Sequence, residues 1–172
     1  MIESLGSIVL KVLDKIPIVE AWRSRSAGRR EHDQGKFREL DNLLPETRLN
    51  QFLEDAYQHV LSRAVLHPVD QCLDWSGLVS NQFLITKVRD AHRRFARELQ
   101  ALRAFLSVNI FLVHGEPDVY YFRPDQDSSR GPTTPQDRAL FDARSAELNR
   151  RTDSCELAYR EFRRTVKLHL YL

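Results

Sequence analysis

Apolar side chains recur at helical intervals along most of this chain, and the C-terminal part carries the plainest pattern. There Phe141, Ser145, Leu148, Thr152, Cys155, Tyr159, Phe162, Val166 and His169 alternate in steps of four and three, the spacing of a seam laid against a partner helix. The stretch opens on Thr134-Pro135-Gln136-Asp137, which offers an N-cap hydroxyl, a proline at the first helical position and a carboxylate three residues after the cap; no Gly or Pro follows. A helix over 135–172 is predicted, roughly 57 Å long at about 1.5 Å per residue. Such a rod exceeds one compact layer. Its distal part, around Tyr159, Phe162 and Val166, is therefore expected to overshoot its neighbours and to form an interface with a protein partner, a second copy of the chain being favoured.

A second strong pattern covers 82–113, where Leu84, Val88, Ala91, Phe95, Leu99, Leu102, Leu106, Ile110 and Val113 follow helical spacing and Gly115 supplies a C-cap. Pro45 opens another helix, whose apolar face carries Leu49, Phe52, Leu53, Ala56, Tyr57, Val60 and Leu61, and a short helix from Lys36 to Leu44 precedes it. His67-Pro68 predicts a break or a kink before Val69, Cys72, Leu73 and Leu78 resume the spacing, because the proline ring clashes with a continuing helix.

The N-terminal segment has an unusually wide apolar face built by Ile2, Leu5, Ile8, Val9, Leu10, Val12, Leu13 and Ile16. Charges at Lys11, Asp14 and Lys15, followed by Pro17, keep it short of the ~20 apolar residues that a membrane span requires. Glu3 at its start does not suit a secretory leader. Residues 23–35 mix Arg23, Arg25, Arg29 and Arg30 with small and polar residues, a linker composition. Residues 114–134 lack helical pattern; Val119-Tyr120-Tyr121-Phe122 suits a short strand, and the remainder has loop chemistry.

The fold class expected from these patterns is all-α: a four- to five-helix bundle in which the two long elements at 82–113 and 135–172 pack antiparallel. Residues 1–22 form a short amphipathic helix, residues 23–35 a basic linker, and residues 36–172 the bundle domain with an irregular loop at 114–134. The chain has 172 residues, 42% hydrophobic, which suits one domain with a real core.

Charge changes the picture only through its distribution. The net charge is +2, too small to imply a nucleic-acid partner. Residues 39–80 carry −5 and residues 81–113 carry +4, so these segments are expected to lie side by side with complementary faces. Arginines 150, 151, 160, 163 and 164 on the last element are interleaved with acids, Glu147 preceding Arg151 and Glu156 preceding Arg160 by four residues, as on a solvated, salt-bridged face. The 2 cysteines, Cys72 and Cys155, occupy apolar helical positions and belong to no ligand cluster; two buried reduced thiols and a cytoplasmic location are expected.

Candidate chemistry is sparse. Arg164-Thr165-Val166-Lys167-Leu168-His169 resembles the R-x4–6-H element of HEPN-type ribonucleases. The resemblance covers six residues and implies that His169 acts as acid or base while Arg164 stabilises charge on a phosphate. Asp125-x-Asp127-x-Ser129 is similar to the start of a calcium loop, but Arg130 stands at the turn position that needs Gly and Gln136 where the bidentate Glu belongs. No metal site and no cofactor are expected. The favoured reading is a small non-catalytic interaction or regulatory protein, with a HEPN-like ribonuclease and a peripheral membrane module, bound through residues 1–30, as alternatives.

Overall fold

A computed structural model describes residues 17–113, 116–123 and 134–172. Among the described residues five helices dominate: α1 (Pro17–Leu43), α2 (Glu46–Tyr57), α3 (Arg63–Gly77), α4 (Thr86–Ser107) and α5 (Pro135–Leu170). Three short strands, β1 (Val60–Ser62), β2 (Ile110–Val113) and β3 (Glu116–Phe122), form one antiparallel sheet in the order β1-β3-β2. The molecule is predominantly α-helical, as the apolar spacing predicts.

The long helices α4 and α5 pair antiparallel. Arg94 bonds Glu161 at 2.6 Å near one end, and the Arg151 guanidinium approaches the Ala101 carbonyl at 3.4 Å towards the other. The capping box at the start of α5 forms as the sequence suggests: Asp137 N–H donates to Thr134 Oγ1 at 3.1 Å and Thr134 N–H to Asp137 Oδ2 at 3.0 Å. The seam residues Leu148, Thr152, Cys155, Tyr159, Phe162 and Val166 are all buried, and they face the chain's own core. The Phe95 and Phe162 rings stack with centroids 6.0 Å apart, and Phe83 meets Phe162 edge-on.

This corrects the expected partner interface. Tyr159 is 6% exposed, Phe162 1% and Val166 1%, so none offers surface to a second molecule. The seam's partner is α4, reached by the hairpin at β2–β3 that folds the chain back on itself. It is the opening of α5, residues 135–147, that is largely exposed, with Phe141 resting edge-on against Phe122 of the sheet.

A second correction concerns residues 23–35, where the expected linker is the middle of a continuous 27-residue helix, α1. Arg, Glu, Gln and Lys are good helix formers, and nothing crowds Gly28 or Gly35. The short helix expected from Lys36 is simply the end of α1. Residues 1–16, where most of the predicted amphipathic helix falls, lie outside the described residues, as do Gly115 and the loop chemistry at 124–133.

Two helices end earlier than their apolar spacing suggests. α2 stops at Tyr57, and His59 enters the left-handed region at φ 62, which turns Val60 and Leu61 into β1. The His59 ring stacks on Phe122 at 5.1 Å, packing that compensates for a conformation a non-glycine residue adopts at some cost. α4 stops at Ser107 because buried Asn109 donates to the Phe105 carbonyl at 2.7 Å, satisfying a helix end and releasing the β-prone Ile110-Phe111-Leu112-Val113 into β2. The expected irregular loop at 114–134 thus contains β3, which pairs with both other strands. Pro68 neither breaks nor ends α3 but lies inside it.

Acidic and basic segments do lie side by side. Arg103 of α4 forms a two-pronged pair with Asp70 of α3 at 2.8 and 3.1 Å, and Arg163 of α5 reaches Asp41 and Glu46 while lying over the Phe37 ring.

Candidate functional site: a basic recess over the end of the bundle

Three consecutive side chains of α1 reach two other segments of the chain. His32 Nε2 donates to the Gln82 carbonyl at 3.3 Å, Asp33 accepts from the Leu84 and Ile85 N–H groups at 2.7 and 2.9 Å, and Gln34 Nε2 donates to the Leu170 carbonyl at 2.8 Å. Successive residues on a helix point about 100° apart, so the three grip both flanks of α1 and set its basic turn across the start of α4 and the end of α5.

That placement creates a recess of about 510 Å³. Arg25, Ser26, Arg29 and Arg30 of α1 line one wall, Leu84, Ile85 and Thr86 the floor, and His169 and Tyr171 the far side. The Arg30 guanidinium lies 4.5 Å from the centre of the Tyr171 ring, a cation–π contact. Tyr171 is left-handed at φ 57 and ψ 47, which ends α5, and it stays 73% exposed.

Many of the arginines outside the recess are engaged by acids. Arg94, Arg97, Arg103, Arg150, Arg151, Arg160 and Arg163 each pair with a carboxylate. Arg25 and Arg29 are exposed, and among the described residues no carboxylate pairs with them or lines the recess. Buried Asp33 is committed to two backbone donors, which also neutralises the positive end of α4; the positive character of the recess therefore belongs to the side chains. Glu31 is about 200° around α1 from Arg29 and points away.

Four other concavities each include a carboxylate: Asp70, Asp118, Asp74, or the group Glu46, Glu54 and Glu156. In the one with Asp74, Ser76 and His92 share a hydrogen bond at 3.2 Å. Burial among Trp75, Phe83 and Phe162 pushes the His92 imidazole down to about 4, aided by nearby Arg93, so it is neutral near pH 7. Among the described residues no carboxylate bonds His92, so the pair lacks the orienting third member of a hydrolytic triad. Burial also pushes the Cys72 and Cys155 thiols up to about 12, which leaves them protonated and unreactive. Both are free and buried, and among the described residues no group of His, Cys, Asp and Glu could hold a metal ion.

The sequence-predicted catalytic pair separates. His169 opens onto the recess, whereas Arg164 is exposed and does not line it. Five residues of helix turn the chain by about 500°, so the two side chains leave α5 roughly 140° apart, on different sides of the helix. The cations that do join His169 are Arg25, Arg29 and Arg30. Their sequence signal was basic charge; Asp33, which positions them, and Tyr171, which closes the recess, carried no motif.

Among the described residues no helix is long and apolar enough to cross a membrane. No protein-family model matches the chain, and comparison with curated proteins and with solved structures finds no match.

Proposed function

We propose that this protein is a small non-catalytic binding module, an accessory or regulatory subunit, whose working surface is the recess formed by α1 and the adjoining ends of α4 and α5, and whose partner presents negative charge there. One observation carries the reading: the recess gathers three arginines and a histidine with no lining carboxylate among the described residues, whereas each of the four other concavities includes one. Unpaired guanidinium groups in a concave site favour an anionic occupant, because they lose no internal partner when it arrives. Thermal unfolding at low salt with added heparin, a sulfated polyanion, tests it. The midpoint should rise for the native chain and fail to rise in the Arg25→Gln/Arg29→Gln variant; an equal rise in both would refute the assignment.

The HEPN-like ribonuclease reading has one specific observation in its favour, the position of His169 beside those arginines. It requires RNA cleavage that disappears in His169→Ala, with Arg29 rather than Arg164 as the residue whose loss is equally severe.

A further inference from the structure

The recess reads more than charge. We infer that its ligand is a nucleoside monophosphate, with the phosphate held by Arg25, Arg29 and His169 and the base laid on the free face of Tyr171; this rests on the anion-binding reading above. Three features point that way. First, several cations without a carboxylate suit a phosphate dianion better than a single carboxylate, and the planar guanidinium fork matches phosphate oxygens. Second, Arg30 occupies one face of the Tyr171 ring at 4.5 Å, fixing it as a platform, while 73% exposure leaves the opposite face available for stacking. Third, about 510 Å³ with Leu84 and Ile85 as an apolar floor is far more room than a phosphate ion fills and lies in the range of small-molecule sites.

Isothermal titration of the full chain with AMP, adenosine and inorganic phosphate, each used separately at low salt, tests the inference. AMP should bind at least about fivefold more tightly than inorganic phosphate, because the base adds its stacking on an aromatic side chain, and more tightly than adenosine, which lacks the phosphate contacts. Tyr171→Ala should reduce AMP affinity about tenfold and leave phosphate affinity unchanged, while Arg25→Gln/Arg29→Gln should abolish both. These residues are exposed, so folding is maintained, and circular dichroism verifies it. Equal affinity for AMP and phosphate, or indifference of AMP to Tyr171→Ala, overturns the nucleotide assignment. If heparin stabilises the chain through Arg25 and Arg29 while AMP does not bind, the nucleotide fails and the anion site stands. If neither acts, both fail.

Discussion

Asp33 accepts the Ile85 N–H at 2.9 Å, a bond spanning 52 residues that ties the middle of α1 to the start of α4. With its second oxygen on Leu84 N–H, this fully buried carboxylate serves as an N-terminal cap supplied from another helix. Asp33→Ala leaves two partly buried backbone donors without their acceptor and should cost about 2–4 kcal/mol, measured by urea unfolding. Asp33→Asn keeps one acceptor and should cost visibly less. Equal losses for the two would mean that the carboxylate's hydrogen bonds are not what fixes α1.

Glycine within α1 is a reserve of stability. Gly28 and Gly35 lie inside the helix, and an added Cβ at either position meets no atom within 4 Å. Gly28→Ala and Gly35→Ala should each stabilise the fold by about 0.5–1 kcal/mol, through helix propensity and a less disordered unfolded chain. A destabilisation at either site in the same urea titration would contradict a continuous α1.

The Phe162 ring tests whether the seam is internal. It is 1% exposed and packs against Phe37, Phe83, Phe95 and His92. Phe162→Ala should cost about 3–5 kcal/mol, the usual penalty for emptying a core aromatic site. Sedimentation of the folded variant should match that of the native chain at every concentration, whereas a ring engaged between two molecules would change the assembly first.

His92 makes stability depend on pH. Its folded-state value, near 4, lies below the unfolded value of 6.5, so between them the unfolded chain binds the extra proton and is favoured. Stability from this group is complete above pH 6.5, declines by roughly 1.4 kcal/mol per unit below it, and is exhausted near pH 4. His92→Leu should flatten that slope in denaturation curves taken between pH 4.5 and 7. An unchanged slope would assign the acid sensitivity to other groups.

The α4–α5 pair is legible from the chain because a seam is a local pattern: every position from Leu148 to Val166 announces its own side of the helix. What the seam meets is not local, and the turn-back at Asn109 that brings α4 against it rests on one buried side-chain amide. The strands are hidden because Val60, Leu61, Ile110 and Val113 continue the helical spacing of the residues before them; His59 decides otherwise by stacking on distant Phe122, and Asn109 by its bond to the Phe105 carbonyl. The basic stretch shows the reverse failure. Ser26, Arg30, Asp33, Phe37, Leu40 and Leu44 keep steps of four and three, but polar residues occupy the first half, so the pattern reads as linker until the partners of Asp33 and Gln34 are known. The recess inherits that obscurity, because its walls come from segments separated by more than fifty positions.

Cys72 and Cys155, both shielded in the core and close enough to influence one another electrostatically, give the molecule an intrinsic gauge of its own breathing. A chromogenic thiol reagent can colour them only when the bundle opens. The rate of coloration in undenatured solution therefore reports the free energy of those openings, with α3 and α5 sampled at once and no foreign label attached.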